Sequence, residues 1–392
     1  MRTILFPSFA MIPSQIKKSL LFIFAVWGSI TLCYARPVGW WYSSVYYIGY
    51  SQALNAKVSS VNPDSANITL LNKVRFFSRQ LPVVAILPEA FQNMYKLKKV
   101  DMRPIKQLSD IGERAFYNCY KLDSVFLPEA SDDVNAGYVS EIPICCFLDC
   151  WLLKYVNLPV KLKIISDRAF HRCKSLQHID IPYTVEEVRK YAFADCGSLE
   201  SIVLSTGINY VGEGVFQNCT KLETAEFYNR YPISIRACTF ENCVNLKKVC
   251  FNKDNIIRID SFAFKGCSSL KTFTISPTLT QGIGTSAFEG CTSLDSVTTL
   301  AEVPPTLGKD AFKDISPTCV LTVPYGTKAA YIAAGWTEDI FKGGIREVTP
   351  AGIGSVKVQQ RQGEWYDLQG RPTSHPRKGG IYIQNGRKIL VK

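Results

Sequence analysis

Three histidines and fourteen cysteines bound the chemistry open to this 392-residue chain. A Cys/His nucleophile needs its thiol within hydrogen-bond reach of an imidazole. His171 stands two residues before Cys173, but Cys173 belongs to a recurring position and reads as a structural thiol. His178 falls on an outward strand position and His375 near the C-terminus. Cys145, Cys146 and Cys250 lie off the recurring position, so they are the thiols left as candidates for a low-pKa nucleophile. Zinc sites draw on close cysteine pairs, and Cys-x-x-Cys is absent. Asp132 and Asp133 resemble a paired carboxylate, yet they sit where the spacing of the chain stretches, as a solvated loop does. G-x-S-x-G, H-E-x-x-H and P-loop patterns are absent too. No catalytic residue, metal ligand or cofactor is assigned, and the chain is expected not to be an enzyme.

The cysteines lead back to the elements that carry them. Cys119, Cys150, Cys173, Cys196, Cys219, Cys243, Cys267 and Cys291 share one place in a repeat of the form I-x-x-x-A-F-x-x-C-x-x-L-x-x-I-x-I-P, clearest from Ile165 to Pro182. The in-frame phenylalanines are Phe91, Phe116, Phe147, Phe170, Phe193, Phe216, Phe240, Phe264, Phe288 and Phe312. They are 25, 31, 23, 23, 23, 24, 24, 24 and 24 residues apart. A fixed period in the low twenties is the signature of a leucine-rich-repeat solenoid. Each unit is too small to bury its own apolar side chains, so stacked neighbours share one core. The expected fold is a β-rich α/β right-handed superhelix of 23–24-residue repeats with a small C-terminal β domain. Ala169 and Phe170 are placed in a short helical turn, and Ile179 and Ile181 on a strand that Pro182 ends. The cysteines read as a ladder of buried thiols, since neighbouring rungs point the same way and disfavour disulfide torsions.

Strand alternation turns two rows of side chains outward. One row runs Lys99, Ser124, Tyr155, His178, Ser201, Thr224, Lys248, Thr272, Ser296. The other runs Asp101, Phe126, Asn157, Asp180, Val203, Glu226, Cys250, Thr274, Thr298. These rows vary while the inward frame stays constant, as on a solenoid face that binds an extended partner. Tyr155, His178, Asp180, Ser201, Thr224, Glu226, Lys248 and Thr272 are the candidate ligand contacts. The plain alternative is an ordinary solvated sheet face.

Charge and termini complete the reading. An apolar share of 47% excludes a disordered chain. The formal charge is +12, without a dense Lys/Arg block, and mixed charge on the rows argues against nucleic acid. Lys17-Lys18, the apolar run Ser19 to Leu32 and Cys33-Tyr34-Ala35 have the layout of a secretory signal peptide. Removing its three positive charges leaves +9. The expected divisions are a signal peptide at 1–35, an N-terminal cap at 36–86, repeats at 87–300, a last repeat with its cap at 301–349, and a linker with a hairpin tail at 350–392. Trp40, Trp41, Tyr42, Tyr46 and Tyr47 can cover the open end of the array or stack on sugar rings, which makes a glycan-binding module the alternative function. At the other end Thr327 is placed to cap a short helix, with Trp336, Ile340 and Phe341 closing the core. Asn385-Gly386 suits a type I′ hairpin turn.

The repeated frames, for example Val188 to Leu204 and Ile259 to Ile275, resemble the BspA-like leucine-rich-repeat family of bacterial surface proteins. Cys146, Val215 and Thr239 replace the usual Ala, and Met94 the first cysteine. Trp365 to Lys392 is similar to the C-terminal Y-D-L-Q-G-R…K-G-I-Y-I-x-N-G-K-K segment common on exported proteins of Bacteroides-type anaerobes. The resemblance implies a secreted or outer-membrane-surface interaction protein of a Gram-negative bacterium. Its implied partners are a protein or glycan on host matrix or bacterial surfaces, with outer-membrane export machinery acting on the tail. It implies no shared catalytic residues.

Overall fold

The computed structural model describes residues 37–42, 44–50, 55–76, 78–129, 137–251 and 256–348. It also describes four short strands between 365 and 390. The expected signal peptide, Asp132-Asp133, residues 350–364 of the expected linker and tail, His375 and the expected Asn385-Gly386 turn lie outside the described residues.

The chain is a β-solenoid of about twelve turns. It opens with β1 (Pro37–Tyr42), β2 (Val45–Tyr50), β3 (Ala56–Val61), β4 (Asn67–Thr69), β5 (Lys73–Phe76) and β6 (Arg79–Ile86). Strands β1, β2 and β3 are antiparallel neighbours, and β3 then pairs in parallel with β6. Most later coils contribute two short parallel segments. The first kind forms the predicted outward face in three ladders. Asn67–Thr69, Lys99–Asp101, Ser124–Phe126 and Tyr155–Asn157 pair in sequence. Ser201–Leu204, Thr224–Phe227 and Lys248–Phe251 form the second ladder. Thr272–Ile275, Ser296–Thr299, Val320–Val323 and Ile345–Glu347 form the third. The second kind is two to four residues long and begins each repeat, as at Ile164–Ile165 and Glu187–Val188.

The Ala-Phe segments are not helical. They are tight turns carrying two left-handed residues four positions apart, as at Arg168 (φ 55°) and Arg172 (φ 61°). The second of these positions is Asn, Asp or Gly in nine of ten coils, the types that tolerate this conformation. The first holds Glu89, Arg114, Tyr191 and Phe262 among others, where residue type offers no help. Hydrogen bonds between coils hold it there. The amides of Arg168, Phe170 and Arg172 donate to the carbonyls of Lys190, Ala192 and Ala194 at 2.9, 2.8 and 2.9 Å. A left-handed residue every four positions breaks the i→i−4 pattern, so no helix forms.

All ten phenylalanines stack through the core, with centroids 4.6 to 5.9 Å apart. The stack ends on Trp336 and Phe341, 5.6 and 5.1 Å from Phe312. Each frame cysteine is buried and donates its S–H to the carbonyl of the preceding coil's phenylalanine: Cys173 to Phe147 at 3.3 Å, Cys196 to Phe170 at 3.2 Å. The thiol is thus a small core group and also a weak donor to an interior carbonyl. All described cysteines are free thiols.

Two local expectations change. Residues 178–181 form no strand, although Ile179 is buried and His178 and Asp180 are exposed as expected. Pro128 and Pro159 hold the same place after strands that do pair, so Pro182 does not account for the break, and side-chain packing survives there without the ladder. Thr327 precedes the single described helix, Lys328–Ala333, but makes no side-chain cap. Its hydroxyl donates instead to the Pro324 carbonyl at 2.7 Å. In the tail, Ile381–Gln384 and Arg387–Leu390 pair with Gln384 opposite Arg387, and Trp365–Tyr366 pairs alongside.

Candidate functional site

The outward rows become a surface through register. Tyr155 lies beside Ser124, which lies beside Lys99. Ser201, Thr224 and Lys248 stand abreast, as do Val203, Glu226 and Cys250. Thr272 begins the third ladder beside Ser296. The eight candidate contacts therefore fall into separate groups along one face. Tyr155 is in the first ladder, and His178 and Asp180 are in the interval without strand pairing. Ser201, Thr224, Glu226 and Lys248 are in the second ladder, and Thr272 is in the third. The interval is crossed by His178, whose Nε2 is 3.7 Å from Glu200 Oε2. Phe251 and Phe273 span the second break at 6.4 Å.

The strongest chemistry on this face is at its N-terminal end. Tyr155, half exposed, lies 5.4 Å from the Phe126 ring. Lys99 Nζ and Arg103 Cζ stand 4.8 and 4.6 Å from the same ring. Arg103 also donates to Asp101 through Nε and Nη2, at 2.9 and 2.6 Å. That fork holds the Asp101 carboxyl below its ordinary pKa and fixes the guanidinium over the ring. Arg103 was not legible as a site residue, because it lies beyond the strand and reaches back to it. Further along, Glu226 accepts from the exposed Tyr228 hydroxyl at 2.7 Å.

A second aromatic group follows the cysteine position, held by Met94, Cys119 and Cys150, in three successive coils. Tyr95 and Tyr120 stack at 5.2 Å, and Tyr120 and Trp151 lie at 6.3 Å. Lys174 Nζ covers Trp151 at 4.7 Å. Tyr95 and Tyr120 cover each other's faces, while Tyr120 and Trp151 are tilted by 43° and Tyr95 and Trp151 stay exposed. An aromatic directly after the cysteine is the signal that could have found them.

Cys145 and Cys146 do not have the electrostatics of a nucleophile. Burial pushes Cys145 up despite Arg114 and Arg168 nearby, and pushes Cys146 up further. His171 is half-buried and pushed down by burial, with Nε2 3.6 Å from Asp195 Oδ2. Cys173 is turned into the core, bonded to Phe147, and burial raises its pKa strongly. Among the described residues no group of three or more His, Cys, Asp or Glu side chains is arranged to hold a metal ion. An open cleft of about 610 Å³ lies between Asp310–Pro317 and Ala334–Lys342, lined by neither histidine nor cysteine.

The family described as BspA type leucine rich repeat region matches the chain in six copies, over residues 55–140, 140–252 and 230–318. The chain belongs to this family. Repeat proteins of this kind are generally non-enzymatic binding scaffolds. No curated protein matches the chain. Several solved structures are similar. A leucine-rich repeat protein from Bacteroides ovatus is 20% identical, with 79% of this chain and 100% of that one covered and a TM-score of 0.33. A leucine rich cell surface protein from Faecalibacterium prausnitzii is 17% identical, with 80% and 96% covered and a TM-score of 0.41. The pneumococcal vaccine antigen PcpA is 13% identical, with 80% and 98% covered and a TM-score of 0.32. No described helix is long and apolar enough to cross a membrane.

Proposed function

We propose that the chain is an exported, adhesin-like binder that engages a protein on host matrix or bacterial surfaces through its strand face. The observation that carries this reading is the Lys99–Arg103–Phe126–Tyr155 cluster. It places an exposed tyrosine, packed on a half-buried phenylalanine, and two cations on the variable face of an otherwise repetitive frame. Tyrosine, tryptophan and arginine are the residue types that dominate binding energy in protein interfaces. His178, Asp180, Ser201, Thr224, Glu226, Lys248 and Thr272 extend the face beyond that anchor. Membership of a family of repeat scaffolds supports binding over catalysis, and the raised thiol pKa values support the same choice. Export rests on the apolar N-terminal segment, and the basic tail is assigned to outer-membrane export machinery.

The test is binding of the purified mature chain to immobilised matrix proteins and to bacterial cells. Saturable binding is expected, reduced about tenfold or more by Tyr155→Ala or Arg103→Ala and less by His178→Ala or Lys248→Ala. Absence of binding across a broad panel, or binding indifferent to all four changes, would overturn the assignment.

A further inference from the structure

The N-terminal hairpin has two faces, and only one is used to close the array. Val45, Tyr47, Ala56 and Val58 are buried against the core. Trp41 and Tyr46 point the other way. They face each other across the β1–β2 pair, with Trp41 more than half exposed. Covering the end of the solenoid therefore accounts for Tyr47 and leaves Trp41 and Tyr46 unexplained.

Their arrangement is specific. The Tyr46 ring and hydroxyl lie over Gly39, in the space a Cβ at that position would occupy. The glycine lets the ring lie down along the neighbouring strand. The Trp41 ring stands beside it at 5.2 Å, inclined by 48°. The two rings form a shallow angled platform, unlike the Tyr95–Tyr120 stack, whose faces cover one another. Polar groups border it. A register shift in β2–β3 sets Ser60 opposite Tyr46 and Lys57 opposite Ile48, and both are half-buried on strand β3.

We propose that Trp41 and Tyr46 form a binding platform for a β-linked pyranose unit of a polysaccharide. The C–H face of such a sugar carries slight positive charge and packs on the negative face of an aromatic ring. An inclined second ring contacts the edge of the same sugar. Ser60 and Lys57 stand where ring hydroxyls or a uronic carboxylate can be hydrogen-bonded. The platform lies on an open sheet surface and so admits an internal unit of a chain. Gly39 is a positioning residue, acting through Tyr46 and not on the sugar. This site is separate from the strand face and does not depend on it.

The experiment uses the mature full-length chain and four probes: cellohexaose, laminarihexaose, chitohexaose and a β-1,4-linked mannuronate oligomer. Calorimetry should show binding of at least one. Trp41→Ala and Tyr46→Ala should each weaken it about tenfold. Gly39→Ala should weaken it as well, by lifting the Tyr46 ring, while Tyr155→Ala leaves it unchanged. Saturation-transfer NMR on the unaltered chain should mark the ring C–H protons of one sugar face, independently of whether any variant folds. Failure of all four probes to bind overturns the proposal. So does binding that survives Trp41→Ala, or saturation confined to exocyclic groups. Binding lost with Tyr155→Ala and kept with Trp41→Ala moves the sugar to the strand face. Loss of protein-partner binding with retention of the sugar rejects the strand-face reading alone.

Discussion

The corner of each coil and the strand face of the same coil are built under opposite constraints. At the corner the backbone, the phenylalanine and the cysteine repeat almost without change, and each coil donates to the next in the same way. On the face, Ser201, Thr224 and Lys248 occupy equivalent places with nothing in common but exposure to solvent. A solenoid coil touches only its neighbours, so one misfit at the corner opens two junctions. A misfit on the face opens none. Stability is concentrated at the corner, and the face is left free to vary.

The corner should therefore fail first and most steeply at high pH. Burial pushes the thiols of Cys119 and Cys291 up to about 12, from 9.0, and raises Cys150, Cys173, Cys219 and Cys267 well above 9.0. A thiol held neutral in the fold contributes stability that is fully present below about pH 9. That contribution is lost as pH rises toward the folded value, because the unfolded chain gives up the proton first. Each such group adds a slope of about 1.4 kcal/mol per pH unit. Denaturant titrations at pH 8, 9, 10 and 11 should show stability collapsing across this range, with Cys→Ala changes in the ladder flattening the fall. A flat profile would mean that the thiols are not the buried neutral groups described above.

A single corner residue comes next. Phe193 stacks on Phe170 at 5.2 Å with planes 2° apart, and is fully buried. Phe193→Ala should cost about 3–5 kcal/mol by urea denaturation. Smaller again is the left-handed position. Asn242 (φ 60°) donates its side-chain amide to Asn218 at 3.0 Å. Asn242→Val removes that bond and places a branched side chain in left-handed backbone, at a cost of about 1–3 kcal/mol. Asn242→Gly should lose less than half as much, since it keeps the backbone conformation available.

The same contrast explains what could be read before the structure. The phenylalanine spacing, the buried cysteine column and the outward rows were legible because each follows from a one-dimensional period. The corner geometry was only half legible. Asn93, Asn118, Asp149 and Asn218 announce the second left-handed position, but Glu89, Tyr191 and Phe262 give no hint of the first, which hydrogen bonds from the next coil impose. A helix was expected at Ala169-Phe170 because residue types there permit one. The missing strand at 178–181 carried no sequence signal, since Pro182 has the same place as Pro128 and Pro159, which follow paired strands. Site features that depend on distances between coils escaped altogether, namely Arg103 over Phe126 and the Tyr95–Tyr120–Trp151 column. In the hairpin the aromatics were visible but their sidedness was not, since adjacent Tyr46 and Tyr47 face opposite ways.

The smallest stability effects should belong to the face, and there the comparison is sharpest. Tyr155, His178, Lys248 and Thr272 are exposed, and the strands of Tyr155, Lys248 and Thr272 pair without using these side chains. Replacing any of them by Ala should move the unfolding free energy by no more than about 0.5 kcal/mol. Tyr155→Ala should be the largest of the four, because its ring also packs on Phe126. Combining His178→Ala, Lys248→Ala and Thr272→Ala should give the sum of the single effects, since the three lie in different parts of the face and share no partner. Matched urea melts of the single and triple variants measure this. Additive, near-zero changes together with altered ligand binding would mark the face as free to vary for recognition. A triple variant losing several kcal/mol would show that the face helps hold the coils together, and that its variability is a packing solution and not a binding surface.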